Sequence, residues 1–177
     1  MRICIDPGHG GCQPGACYGG IREADLTMPM CLELSHRLER MGHDTTLTRL
    51  ADVDVSLRER CRISDAFGAE LFISLHLNAA SSSQARGSEV WVWTGSRAWM
   101  PATLIQAALV DACGMQDRKV RETQKYFVLR HTKALAMVIE PGFMSNPDEL
   151  LMLRDAEYRG KIVDAIARGV QKYSASR

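Results

Sequence analysis

Short apolar runs and amphipathic stretches take turns along this chain, and that alternation is what most constrains its fold. Arg2 to Asp6 reads as a buried strand running into the loop Pro7-Gly8-His9-Gly10-Gly11. Leu26, Met30, Leu34, Leu38 and Met41 then recur at helical spacing, with Gly42 as the natural stop. Pro29 suits only the first turn of such a helix, which places its start near Thr27. Asp44 to Thr48 reads as a second strand, and Ser56-Leu57-Arg58-Glu59 has the form of a capping box opening a helix that ends at Gly68. Glu70 to Leu77 and Ser88 to Thr94 follow as strands, Ala102 to Cys113 as a helix, and Tyr126 to Arg130 and Leu135 to Glu140 as two closing strands. Asn146 and Pro147 open a short helix, and Tyr158, Ile162, Val163, Ile166 and Val170 mark the last one. The pattern predicts an α/β fold: a single twisted, mostly parallel sheet of about six strands flanked by helices on both faces. Without repeat or linker, residues 1–177 read as one domain.

Charge narrows the choice of partner. With 22 basic against 21 acidic residues, the chain has no electrostatic reason to bind nucleic acid or a membrane surface. The opening Met1-Arg2-Ile3-Cys4-Ile5 run is broken by Asp6 and Pro7 before a signal-peptide core can form, so the expectation is a chain made in the cytoplasm. Cys4, Cys31, Cys61 and Cys113 fall inside predicted elements, and no C-x-x-C pair exists, which favours reduced structural thiols; only Cys12 and Cys17 share a loop.

In open α/β sheets ligands collect beyond the carboxyl ends of the strands. Three strands here end on an ionisable side chain: the first at Asp6-Pro7-Gly8-His9, the third at Ser74-Leu75-His76-Leu77-Asn78, and the last at Val138-Ile139-Glu140-Pro141-Gly142. Glu23 stands in a Gly-rich stretch just before the first long helix. Two imidazoles and a carboxylate (His9, His76 and Glu23) form a three-ligand set suited to catalytic zinc, with Glu140 free to act as a base. Each residue alone also has an ordinary structural reading: a strand-end histidine is often just hydrogen-bonded, and a glutamate before a helix often only favours its dipole.

Longer strings sharpen this. Ile5-Asp6-Pro7-Gly8-His9-Gly10-Gly11, Pro14-Gly15-Ala16 with Glu23, and Leu47-Thr48-Arg49 with Ser56-Leu57-Arg58-Glu59-Arg60 occur in that order. Phe72-Ile73-Ser74-Leu75-His76-Leu77-Asn78-Ala79 and Val138-Ile139-Glu140-Pro141-Gly142-Phe143 complete the series. Together they resemble the zinc-dependent N-acetylmuramoyl-L-alanine amidases of bacteria and their phages, catalytic domain only. The resemblance implies His9, Glu23 and His76 as Zn2+ ligands and Glu140 as the catalytic glutamate. It also implies hydrolysis of the amide joining the lactyl group of N-acetylmuramic acid to L-alanine in peptidoglycan or muropeptides, by a monomer of phage-lysin or autolysin type that reaches the wall after release or non-classical export. A zinc hydrolase of another amide (a sugar deacetylase or peptidase) and a non-catalytic wall-binding module are the competing readings.

Around these residues, Asp6 and Asn78 are candidates for orienting a ligand histidine, because ligating imidazoles donate their second N–H to an acceptor. Arg49 either pairs with a carboxylate near the site or closes the second strand. His36, His43 and His131 read as structural, although His131, between the two predicted closing strands, stands where it could approach substrate. Trp91 and Trp93 share one face of a strand and read as sheet-covering packing.

Overall fold

The computed structural model describes all 177 residues. In chain order the elements are β1 (Arg2–Pro7), β2 (Cys17–Tyr18), β3 (Ile21–Arg22), α1 (Glu23–Arg40), β4 (Asp44–Leu47), α2 (Leu57–Phe67) and β5 (Leu71–Leu75). They continue with β6 (Ser88–Trp93), α3 (Trp99–Cys113), β7 (Asp117–Thr123), α4 (Phe127–His131), β8 (Leu135–Glu140), α5 (Pro147–Arg154) and α6 (Ala156–Ala175). Six strands form one sheet in the order β4-β1-β5-β8-β6-β7, and β2 with β3 makes a separate small hairpin. β4, β1, β5 and β8 run parallel; β6 pairs with β8 antiparallel and with β7 parallel. The expected mostly parallel, two-sided α/β sheet is therefore what the chain forms.

Alternate residues of the strands feed two different cores. Ile3, Ile5, Leu71, Ile73, Leu75, Met137 and Ile139 belong to a cluster of 29 buried residues completed by α1, α3 and α6. Cys4, Phe72, Ala136 and Val138, on the opposite face, meet α2 and α4 in a cluster of only 7. No helix is long and apolar enough to cross a membrane.

Four local expectations are corrected. Tyr126 to Arg130 is not a strand: Phe127–His131 is the short helix α4, which turns Val128 and Leu129 into the smaller core. A five-residue apolar run does not by itself separate strand from helix, and here burial decides. The sixth strand is instead β7, whose charged sequence hides it; as an edge strand it buries only one flank and tolerates Arg, Lys and Glu. The first long helix begins at Glu23 rather than near Thr27, which leaves Pro29 inside it. Its early N–H groups are satisfied from outside, Glu23 donating to the Ala16 carbonyl (2.8 Å) and Ala24 to that of Pro14 (3.1 Å), so the helix starts nearly two turns ahead of the proline. Finally, only half of the capping box at Ser56 forms. The Ser56 hydroxyl accepts from the Glu59 N–H, but the Glu59 carboxylate turns to Arg62.

Candidate metal centre

β1, β5 and β8 lie side by side and end at the same edge, so the residues that follow them converge there. His9 comes just after β1, His76 just after β5, and Glu140 closes β8. Glu23, at the start of α1, swings in beneath the two histidines. One carboxylate oxygen lies 3.1 Å from His9 Nε2 and the other 2.9 Å from His76 Nδ1. The first oxygen also accepts the Ala16 N–H (3.0 Å), and the second that of Leu77 (2.9 Å). Glu23 is thus both buried and fixed at each oxygen.

The chain makes room for this cluster by omitting side chains. A Cβ on Gly8 would stand 2.6 Å from the His76 ring, and one on Gly15 would stand 2.5 Å from the Glu23 carboxylate. Gly15 also has φ +74°, a region L side chains rarely adopt. His9 itself is held at φ 60°, and non-glycine residues in the left-handed region concentrate at functional sites.

Electrostatics separate the two glutamates. Burial pushes the Glu23 carboxyl up, but the hydrogen bonds and charges of His76 and His9 outweigh it and hold the group well below the usual carboxylate range. His76 is lowered by burial and raised more by Glu23, ending above its ordinary value. Glu140 has weaker compensation. Burial, opposed by the charge of His76 and reinforced by Glu89 and Glu23, raises it to about 7. A cleft of about 360 Å³ opens beside it, lined by His9, His76, Leu57, Tyr126, Val128 and Glu140.

His9, Glu23 and His76 have one ligand atom each within 4.8 Å of one another, the only such metal-holding group in the chain. Tetrahedral ligands about 2 Å from a shared zinc stand about 3.3 Å apart, so the widest pair would have to draw together, while the donor chemistry of two imidazoles and a carboxylate fits that ion. Glu140 faces the same cleft but is not one of the three.

The remaining candidates have other partners. The Asp6 carboxylate receives Thr48 Oγ1 (2.5 Å), Arg60 Nη1 (2.6 Å) and Ser74 Oγ (2.6 Å), and no histidine. Asn78 donates to Glu89 (2.7 Å) and accepts from the Ala79 N–H. Buried Arg49 bonds to the carbonyls of Pro7, Gly8, Ala24 and Ala51, not to a carboxylate, and so ties the His9 loop to α1. His131 caps the end of α4, stacked on Phe127. Trp91 and Trp93 pack against the smaller core, as their spacing predicts. All six cysteines are free, and burial raises the Cys4 thiol to about 12.

Sequence reasoning passed over Tyr126, which lines the cleft, and Glu89, which the antiparallel register sets directly opposite Glu140. Glu89 was legible in principle: it alternates with Val90 and Val92 and so faces the same side as Trp91.

The fold and this cluster define an α/β domain with a candidate metal site at its strand ends, and comparison with known proteins makes the assignment specific. Residues 3–172 match the family described as N-acetylmuramoyl-L-alanine amidase, and the chain belongs to that family. It is 32% identical over 174 residues to the N-acetylmuramoyl-L-alanine amidase LytC of Bacillus subtilis, covering 97% of this chain and 35% of LytC. It is 33% identical to the probable cell wall amidase LytH of Staphylococcus aureus, covering 97% of this chain and 57% of LytH. The crystal structure of an N-acetylmuramoyl-L-alanine amidase from Clostridium difficile 630 superimposes with a TM-score of 0.96 at 27% identity, covering 99% of this chain and 97% of that one. The chain thus spans about a third of LytC and just over half of LytH.

Proposed function

We propose that this chain hydrolyses the amide between the lactyl group of N-acetylmuramic acid and L-alanine in peptidoglycan, with zinc held by His9, Glu23 and His76. The observation that carries this reading is the pairing of one cluster that fits a metal with a separate buried glutamate, Glu140, on the same cleft. Bound there, zinc supplies Lewis acidity and lowers the pKa of water. Glu140, pushed upward by burial and not one of the three proposed ligands, is placed to accept and release a proton. It takes the proton of the attacking water and delivers it to the departing alanine nitrogen, without which the amine leaves poorly. Glu23, kept ionised and bonded at both oxygens, has no proton to give and serves as ligand.

The test is digestion of purified cell wall with the purified protein, following newly exposed L-alanine amino termini alongside the zinc content of the protein. Release that stops on chelation and returns with zinc at one equivalent supports the reading. Freed acetate or peptide-internal termini would point to a deacetylase or peptidase, and wall binding without release to a non-catalytic module.

A further inference from the structure

Beyond Glu140 the sheet continues through β6 to the edge strand β7, and there the smaller-core face carries a charged group that the proposed chemistry does not use. Glu89, 4% exposed, sits opposite Glu140 and spends all its acceptor capacity. One oxygen takes Asn78 Nδ2 (2.7 Å) and Trp91 Nε1 (3.1 Å); the other takes Arg118 Nε (2.8 Å) and Arg121 Nη1 (3.3 Å). Two guanidiniums thus share a single buried carboxylate oxygen, one positive charge more than Glu89 itself neutralises. Each is also seated on an aromatic ring, Arg118 4.8 Å above Phe143 and Arg121 4.5 Å above Trp91. Lys119 adopts φ 74° between them, at a break in the β6–β7 register.

Arginines that merely neutralised Glu89 would not need to be two, nor be held flat. Neither terminal nitrogen of Arg118 has an acceptor within the protein, and Arg121 uses only Nη1. Arg118 is half-buried and Arg121 exposed, so their unused N–H groups face solvent in fixed orientations. Pre-oriented guanidinium forks of this kind suit a planar carboxylate.

Placement says which carboxylate. β7 lies two strands from β8, a backbone separation of about 10 Å at a strand spacing of about 4.8 Å, and the guanidiniums reach back to Glu89 on β6, so their tips stand between about 5 and 10 Å from Glu140. One residue of extended peptide spans at most about 3.6 Å, so that distance corresponds to the second or third residue beyond the scissile amide. We propose that Arg118 and Arg121 form a subsite that binds a free carboxylate of the stem peptide at its second or third residue, and so set a preference for acidic over amidated peptides. This rests on the amidase reading above and names a specificity element for it.

The experiment uses soluble muropeptides in matched pairs: the second residue D-glutamate or its amide D-isoglutamine, and the third residue a diamino acid with a free side-chain carboxylate or lysine. Wild-type protein is expected to lose about tenfold to a hundredfold in kcat/KM, mainly through KM, when the recognised carboxylate is removed. The pair that shows the loss identifies which residue is read. R118A and R121A should each erase most of that preference, raising KM for the acidic substrate, with R121K restoring part of it. Equal turnover of both members of both pairs by the wild type overturns the subsite. So does a preference that survives in both alanine variants with their folding verified by circular dichroism. No cleavage of any muropeptide by zinc-loaded wild type instead overturns the amidase reading, and the subsite falls with it.

Discussion

The two faces of the sheet are made from alternate residues of the same strands, yet they are buried by different means. On the α1, α3 and α6 side the strand residues are aliphatic from end to end, as in Leu71, Ile73 and Leu75. On the α2 and α4 side they begin apolar and turn polar towards the carboxyl edge: Cys4 then Asp6, Phe72 then Ser74 and His76, Val138 then Glu140. The first face is held by area removed from water. The second, with a quarter as many clustered residues, is held by a buried polar network in which Asp6 collects three donors and Glu89 four. Chemistry sits on the thin face because only there do polar groups reach the strand ends without breaking an apolar core.

Changes at the site itself should have the largest effect and leave the other face untouched. Removing either proposed histidine ligand, as in His9→Ala or His76→Ala, should abolish stoichiometric zinc binding together with muropeptide hydrolysis, measured by metal content and by released amino termini. Glu140→Ala should keep the metal and lose activity by about a hundredfold or more, the usual scale for an acid–base group. A Glu140→Ala protein with near-full activity would remove Glu140 from the proposed chemistry.

Next in size is the polar network that supports the thin face. Asp6 pairs with Arg60 where both side chains are almost wholly buried, so Asp6→Ala leaves an uncompensated guanidinium. The expected cost is about 3–5 kcal/mol, read from urea denaturation. A loss under about 1 kcal/mol would mean the face is held mainly by its seven apolar residues after all.

Glu140 gives a stability test with a defined sign. Its folded-state value of about 7 lies above the ordinary carboxylate range, so the metal-free native state keeps a proton that the unfolded chain releases. Stability therefore falls as pH rises from about 4.5 to about 7, and the penalty is complete above that window, at about 3 kcal/mol. Glu140→Gln, neutral throughout, should match wild type near pH 4.5 and exceed it near pH 8 in the metal-free protein. Parallel denaturation curves at the two pH values check this, and equal stabilities at pH 8 would show that Glu140 is better solvated than its burial implies.

The two faces also differ in how far the sequence revealed them. Helical and strand periodicity sufficed for the thick face, because its residues need only be apolar and correctly spaced: Leu34, Leu38, Ile162 and Ile166 are where the spacing put them. On the thin face, His9, His76 and Glu140 were legible as strand ends, and the parallel order of β1, β5 and β8 brings them to one edge. What local pattern did not carry was anything fixed by long-range partners. β7 is a strand only because β6 lies beside it, α4 a helix only because the smaller core accepts Val128 and Leu129, and α1 starts at Glu23 only because loop carbonyls meet its first N–H groups. Arg118 and Arg121 were lost with β7. Asp6 shows the same limit at one residue, since its partners Thr48, Arg60 and Ser74 are scattered over three segments.

The smallest effects lie on the thick face, where two glycines of α6 should respond in opposite directions to the same substitution. By helix propensity alone, Gly→Ala inside a helix gains about 1 kcal/mol. At Gly160 a new Cβ would meet nothing nearer than the far end of Arg37 at 3.7 Å, so Gly160→Ala should show that gain. At Gly169 the Cβ would stand 2.6 Å from Ile105 Cα and 2.9 Å from its backbone nitrogen, atoms that cannot yield unless α3 moves away from α6. Overpacking of about 1–3 kcal/mol then outweighs the propensity gain, and Gly169→Ala should be destabilised on balance. Thermal melts of the two variants decide it. If both are stabilised, the α3–α6 contact is looser than its geometry, and the thick face is less of a rigid support for the strand ends than its apolar core suggests.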